Sequence, residues 1–185
     1  MNKLYLLLSI LMGVVVLVSN FLVQFPVYYF GLSEILTYGA FSYPVAFLIT
    51  DLANRSYGKI KARNIVFFGF FIGVAFTFYF IEIISIRIAI GSGTAFLVAQ
   101  LIDINVFDKF RNNLKWYLAP LASSLVGSTI DTFLFFSISF YGTDVPWVSL
   151  SFGDLAVKLF VALVMLIPFR LLLNTFREDY LYKNL

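Results

Sequence analysis

The sequence predicts an all-α integral membrane protein: a bundle of six transmembrane helices with both the N and the C terminus in the cytoplasm. Of the 185 residues, 61% are hydrophobic and only 12% are charged, whereas an ordinary soluble domain has about 25% charged residues. The apolar residues fall into six runs of roughly 20 residues, which is the length that a helix needs to cross a bilayer. Together the six runs use nearly the whole chain, so we expect one domain, residues 1–185.

The first three expected spans are residues 4–25, 35–54 and 64–84. The first span is uncharged and ends at Pro26. It begins like a signal peptide, but no small-residue cleavage motif follows, so we expect it to be retained. The second span contains Asp51, and the third is a run rich in phenylalanine.

The last three expected spans are residues 86–107, 116–141 and 154–175. The fourth carries Arg87 and Asp103. The fifth reaches the length of a bilayer only if it includes Asp131, so this aspartate is not expected in a loop. The sixth carries Lys158 near its start and Pro168 near its end.

The orientation follows from the distribution of the basic residues, because short cytoplasmic loops are enriched in lysine and arginine. Two connections between spans, residues 26–34 and 142–153, contain no basic residue. The other connections and the termini hold ten of the thirteen: Lys3, Arg55, Lys59, Lys61, Arg63, Lys109, Arg111, Lys115, Arg177 and Lys183. With six spans, this pattern predicts that both termini are cytoplasmic.

The composition also excludes several kinds of chemistry. The chain has no cysteine and no histidine, so it has no thiolate nucleophile, no thiolate zinc site and no histidine base. We therefore expect no metal, no cofactor and no enzymatic activity. The expected partners are the lipid bilayer and a small polar molecule rather than a nucleic acid, and homo-oligomerisation is left open.

Aspartates inside apolar spans are the main functional signal. Each costs a few kcal/mol on insertion scales, and such residues usually mark substrate or ion sites. Asp51 and Asn54, Gln100 and Asp103, and Ser128 and Asp131 are each spaced by three residues, so each pair projects from one face of its helix. The segments 46–52 and 95–101 are also similar, which aligns Asp51 with Gln100 and hints at a duplicated hairpin.

Structural roles remain open for the same residues. Asp51 and Asp103 lie near the ends of their spans, where they could pair with Arg55, Lys59 or Lys109. Lys158 could be the counter-ion of Asp131, although Asp154 lies one helical turn from Lys158 and would compete. Asn20 in the first span could be a packing hydrogen bond between helices.

The sequence also resembles a known family. The relevant segments are Ser19-Asn20, 36–40 with Pro44, 48–54 followed by 57–59, Arg87, 95–107, 130–132 with Phe135, and 139–142. In this order they resemble the VUT family of six-span bacterial membrane proteins, which includes importers of queuosine precursors. The chain departs from the family pattern at Arg55, where the pattern has glutamate, and at Ser128, where it has glutamine.

The resemblance implies a protein of the bacterial inner membrane that imports a 7-deazaguanine: 7-cyano-7-deazaguanine, its aminomethyl form or queuine. A guanine-like base offers N–H donors that carboxylates accept and acceptors that amides or hydroxyls can serve. The candidate substrate-binding residues are therefore the polar residues of the spans: Asn20, Asp51, Asn54, Gln100, Asp103, Ser128 and Asp131. Phe96, Tyr38 and Phe135 are candidates for stacking on the ring.

Two other classes of protein fit the same composition. One is the substrate-binding subunit of an energy-coupling-factor vitamin transporter, which would need separate ATPases, because this chain has no Gly-rich phosphate loop. The other is an integral membrane enzyme, which the lack of histidine, cysteine and clustered acidic motifs disfavours.

Overall fold

The computed structural model describes residues 3–23, 25–29, 36–79 and 86–181, with the side chains of Phe78 and of residues 174–181 left out. Six α-helices make up nearly all of this part of the chain. In order they are α1 (Lys3–Leu22), α2 (Gly39–Tyr57), α3 (Lys59–Tyr79), α4 (Ile86–Phe110), α5 (Leu118–Phe140) and α6 (Trp147–Leu181). The predicted all-helical membrane bundle is confirmed.

Helix α2 differs from the other five helices, which are long and apolar enough to cross a membrane. It contains Asp51, Asn54 and Arg55, which lower its hydropathy. It also packs against each of the other five helices, and most of its residues are buried. A helix enclosed by protein does not need an apolar surface toward lipid, so its polar residues are tolerated at this position.

Several helix boundaries differ from the predicted spans. Helix α1 ends at Leu22, because the chain then turns and Pro26 forms an antiparallel bridge with Thr37. This bridge also delays the start of α2 to Gly39. Helix α6 begins at Trp147, seven residues before the predicted start, directly after Pro146. Proline is favoured at such a helix start, because its missing N–H would have no helical partner there.

The connection between the second and third helices is shorter than predicted, because only Gly58 separates α2 from α3. Gly58 has a φ of 81°, a region that favours glycine, and its N–H bonds to the carbonyl oxygen of Asn54 at 2.9 Å. The basic residues of this segment therefore lie on the ends of two helices.

The helices approach each other closely where one of them has a glycine. A methyl group on Gly127 of α5 would meet the ring of Phe47 of α2 at 2.6 Å, and one on Gly91 of α4 would collide with Ser139 of α5. The hydrophobic driving force between helices is weak in lipid. Small residues at these contacts let the helices approach closely, so that van der Waals packing stabilises their association. The result is a tight unit of α2, α4 and α5.

Arg87 on α4 binds the end of α5. Its Nε donates to the carbonyl oxygen of Ile138 at 3.1 Å, and its Nη2 donates to that of Tyr141. Ile138 belongs to the last turn of α5 and Tyr141 directly follows the helix, and a cation is also favoured at this end by the helix dipole. Arg87 thus fastens the start of α4 to the end of α5.

Candidate functional site

The bundle contains two separate groups of buried polar side chains. The first, here called the α2–α4 polar cluster, consists of Thr50, Asp51 and Asn54 of α2, Gln100 and Asp103 of α4, and Ser123 of α5. All six side chains are buried, with relative exposures of 0 or 1%. The second, called the Lys158 network, consists of Asp131 and Thr132 of α5 with Asp154 and Lys158 of α6, and these are 0 to 7% exposed.

Hydrogen bonds between helices hold the α2–α4 polar cluster together. The hydroxyl of Thr50 donates to Oε1 of Gln100 at 2.6 Å, and Nδ2 of Asn54 donates to the carbonyl oxygen of Ile104 at 3.0 Å. The hydroxyl of Ser123 donates to Oδ1 of Asp51 at 2.9 Å. Of the residues that the three-residue spacing singled out, Asn54 and Gln100 each take part in a bond between α2 and α4, and Asp51 in a bond to α5.

Several polar atoms of this cluster have no hydrogen-bond partner. They are Oδ1 of Asn54, Nε2 of Gln100 and both carboxylate oxygens of Asp103. A buried polar group without a partner costs about 1–3 kcal/mol, more when it is charged, so native proteins contain few of them. One amide donor and three oxygen acceptors in one small region thus have no hydrogen-bond partner among the described residues.

The carboxylates of Asp51 and Asp103 both belong to this cluster, on helices that the bonds of Thr50 to Gln100 and of Asn54 to Ile104 hold together. Neither forms an ion pair with any residue that the structure describes. The expectation that Arg55, Lys59 or Lys109 neutralises them is therefore wrong. The Arg55 guanidinium instead donates to the carbonyl oxygen of Arg111.

The Lys158 network, in contrast, is a closed set of ionic contacts. The ammonium of Lys158 lies 2.9 Å from Oδ2 of Asp131 and 2.6 Å from Oδ2 of Asp154. It also donates to the hydroxyl of Thr132 at 3.2 Å, and this hydroxyl in turn donates to Asp154 at 2.9 Å. The two partners proposed for Lys158 do not exclude each other, because the ammonium has three protons and serves both.

A cavity of about 310 Å³ borders the Lys158 network, and its volume is in the range of small-molecule sites. Asp131, Asp154 and Lys158 form its charged wall. Phe135, Phe136 and Phe140 contribute aromatic rings to its lining. Charged and aromatic surfaces therefore meet in one cavity, as the recognition of a flat polar molecule requires.

A second cavity, of about 610 Å³, is more apolar and lies among α1, α2, α3 and α4. Tyr43 and Ser92 line both cavities, and their hydroxyls are 3.1 Å apart. Asn20 lines the larger cavity, where its Oδ1 is 3.4 Å from the hydroxyl of Ser92. The predicted packing role of Asn20 is thus consistent with its position next to the cavity wall.

The structure separates the predicted site residues. Asp131 lines the smaller cavity and Asn20 the larger one, whereas Asp51, Asn54, Gln100 and Asp103 form the polar cluster. Ser128 is fully buried on α5, one turn from both Ser124 and Asp131, and its hydroxyl has no hydrogen-bond partner. Of the candidate stacking residues, Phe135 lines the smaller cavity, Phe96 the larger one and Tyr38 neither.

The sequence-based selection missed Tyr43, Ser92 and Asp154 as lining residues. Tyr43 carries no charge and is one of 11 tyrosines, so nothing in the sequence distinguished it. The sequence did indicate Asp154. An aspartate and a lysine one turn apart near the start of an apolar helix raise the free energy of membrane insertion unless they pair with other polar groups.

Fold and polar interior together define a multi-pass membrane protein with buried charged side chains and internal cavities. Residues 37–86 and 81–173 match the family model described as "Putative vitamin uptake transporter". This match covers well over half of the chain, so the chain belongs to this transporter family. It is a multi-pass protein of the bacterial inner membrane, and its relatives are transporters rather than enzymes.

Three curated relatives support the same assignment. A protein of Escherichia coli named queuosine precursor transporter is 33% identical over 90% of this chain and 85% of its own length. A probable queuosine precursor transporter of Haemophilus influenzae is 36% identical over 71% of this chain and 66% of its own length. A third, from Bacillus subtilis, is 28% identical over 86% and 80%. No solved structure matches the chain significantly.

Proposed function

We propose that this protein imports a queuosine precursor, a 7-deazaguanine base, and holds it through intramembrane aspartate, asparagine and glutamine side chains. The names of the E. coli, H. influenzae and B. subtilis relatives support the substrate class. The proposal extends to this chain because the segments that resemble the VUT family include most of the residues in its buried polar cluster.

The observation that carries the proposal is the set of unpartnered atoms in the α2–α4 polar cluster. Nε2 of Gln100 is a free donor, and Oδ1 of Asn54 and both oxygens of Asp103 are free acceptors. A guanine-like edge presents adjacent N–H donors next to a carbonyl acceptor. The cluster therefore offers the complementary pattern, and a bound base would satisfy atoms that are otherwise buried without partners.

The cavity at the Lys158 network would be the position where the base first binds. Asp131 provides an acceptor for an N–H group, and Phe135 provides an aromatic face on which a ring can stack, a contact worth about 1–3 kcal/mol. Helix α5 then leads from Asp131 past Ser128 to Ser123 and the polar cluster, with about one turn between successive polar residues.

Binding of the base is the first test. Purified protein in detergent should gain thermal stability from 7-cyano-7-deazaguanine, from its aminomethyl form or from queuine. At 100 times the Kd, mass action alone stabilises the folded state by about 2.7 kcal/mol. Absence of any stabilisation by the three bases, well above micromolar concentration, would contradict the substrate assignment.

Uptake is the second test, in cells that lack other routes for the base. Asp131→Asn replaces one acceptor oxygen by a donor group, so it should repel the N–H edge and severely reduce uptake. Asp144→Asn, in an exposed loop, is the matched control and should keep normal uptake. Uptake by this chain alone also separates an importer from a subunit that needs ATPase partners: binding without uptake would indicate the latter.

A further inference from the structure

We propose that the carboxyl groups of Asp51 and Asp103 bind one proton between them, and that this proton moves inward together with the substrate. This inference rests on the proposed function for its transport step only. The proton site itself follows from the geometry of the α2–α4 polar cluster.

The carboxylates of Asp51 and Asp103 are buried in the same cluster, and neither can donate a hydrogen bond while both are ionised. Both oxygens of Asp103 have no hydrogen-bond partner among the described residues, whereas Oδ1 of Asp51 accepts from Ser123. A single proton on either group changes this situation. It creates one O–H donor, which the neighbouring carboxylate accepts, and the pair then carries one negative charge instead of two.

A second, independent observation is the surplus of acceptors around the pair. Oδ1 of Asn54 is fully buried without a hydrogen bond, and its amide nitrogen is held against the carbonyl oxygen of Ile104, the residue after Asp103. Gln100 contributes the only unpartnered donor among the described side chains of the cluster. One more donor, a carboxyl O–H, would bring the number of donors in the cluster closer to the number of acceptors.

The basic groups at this end of the bundle do not neutralise the pair. Each has a partner of its own or makes no ion pair with either carboxylate in the described structure. On α2 and α4, Arg55 donates to the backbone of Arg111, and Arg111 pairs with Asp108. On α3, Arg63 donates to Asn105, and Lys61 lies over the ring of Tyr57. On α6, Lys158 pairs with Asp131 and Asp154, and Arg170 lies over the ring of Trp116.

In the transport step, one proton is bound on one side of the membrane and released on the other. One O–H bond forms on the carboxyl pair with a proton from the water on the side where substrate enters. The same bond breaks when the site opens to the other side, and the proton leaves with the substrate. Because each buried negative charge is costly at membrane depth, the protonated and occupied form is the one that crosses at least cost.

Infrared difference spectroscopy of the purified protein tests the proton site without any substrate. The wild-type protein should show the C=O stretch of a protonated carboxylic acid, shifted in D2O and lost when the pH is raised. Asp103→Asn and, separately, Asp51→Asn should remove the band. Asp108→Asn on the same helix, a half-exposed carboxylate paired with Arg111, should keep it. A wild-type spectrum without the band at any pH from 5 to 9 would overturn the proposal.

Proteoliposomes test the coupling. With the outside one pH unit more acidic, and with the voltage clamped, symport of one proton should support about tenfold accumulation of the base. A protonophore should abolish the accumulation. Asp103→Asn, whose amide has no proton to release, should bind the base more weakly and lose the dependence of accumulation on the pH gradient, whereas Asp108→Asn should accumulate normally.

The two proposals fail in different ways. Uptake that ignores the pH gradient, or follows a Na⁺ gradient instead, would overturn the proton coupling and leave the importer intact. Absence of both binding and uptake of every base would refute the proposed function, while the infrared band still decides whether the pair holds a proton.

Discussion

The two polar regions of the bundle differ in how their charges are satisfied. In the Lys158 network, one ammonium serves two carboxylates at 2.9 and 2.6 Å, and a threonine hydroxyl links the network further. In the α2–α4 polar cluster, two buried carboxylates form no ion pair with any described residue, and several polar atoms there have no hydrogen-bond partner. A satisfied network holds helices together, whereas an unsatisfied one is complete only with a ligand.

This difference predicts opposite effects of charge removal on stability, and the largest effect is expected at Lys158. Lys158→Met leaves two buried carboxylates without their cation, and breaking a buried ion pair in this way costs about 3–5 kcal/mol. The measurement is the thermal unfolding midpoint in detergent. Lys115→Met, an exposed lysine in the connection before α5, is the control. Equal midpoints for Lys158→Met and the wild type would remove the structural role of the network.

In the other region, Asp103→Asn should impair accumulation of the base without lowering stability. The substitution removes a buried charge that has no counter-ion, so the unfolding midpoint should be unchanged or higher. The lost charge-assisted hydrogen bond should weaken substrate binding by about 1.5–3 kcal/mol. A strong loss of stability would show that Asp103 has a structural partner and that the two regions are alike.

Packing beside the cluster gives a smaller effect. Gly127→Ala would place a methyl group 2.6 Å from the ring of Phe47, and such overpacking typically costs about 1–3 kcal/mol. Gly93→Ala is the matched control, because its methyl group would meet Phe70 at an ordinary 3.6 Å. Thermal unfolding of both variants compares them directly, and equal midpoints would mean that α2 and α5 separate easily at this contact.

Labelling of introduced cysteines shows which side of the membrane lies nearest to each of the two polar regions. The two substitutions, at exposed positions, should not change the stability of the protein. The positive-inside rule predicts that position 61 is cytoplasmic and position 143 is outside. Lys61→Cys should resist an impermeant thiol reagent in intact cells, whereas Thr143→Cys should react. The native chain has no cysteine to obscure the result. Labelling at position 61 would invert the predicted topology.

Much of the fold was predictable because hydropathy and length report directly on membrane helices. The six helices occur where the apolar runs are, and Asp51, Asn54, Gln100 and Asp103 are buried on two helices that hydrogen bonds join at this level. The ends of helices were less predictable. They depend on local backbone pairing, such as the bridge of Pro26 with Thr37, which hydropathy does not encode.

Partner choice inside the bundle was the least predictable feature. The sequence placed Asp51 and Asp103 close to Arg55 and Lys109, but proximity along one helix does not fix where a long side chain points. In the structure Arg55 turns toward the backbone of Arg111, and α5 supplies Ser123 to Asp51 instead. Contacts between distant helices decide which charge is neutralised, and only the three-dimensional packing determines them.

Helix α2 reaches both polar regions, and Pro44 lies inside it. Tyr43 faces the Lys158 ammonium, with the nitrogen 5.4 Å from the ring centre, and Asp51 belongs to the other region about two turns further along. Proline has no N–H to donate to the carbonyl four residues earlier, so α2 lacks one of its backbone hydrogen bonds at this point. A small change of the helix angle at Pro44 would move Tyr43 relative to Asp51. Binding of a solute at one polar region would then shift the side chains of the other region through α2.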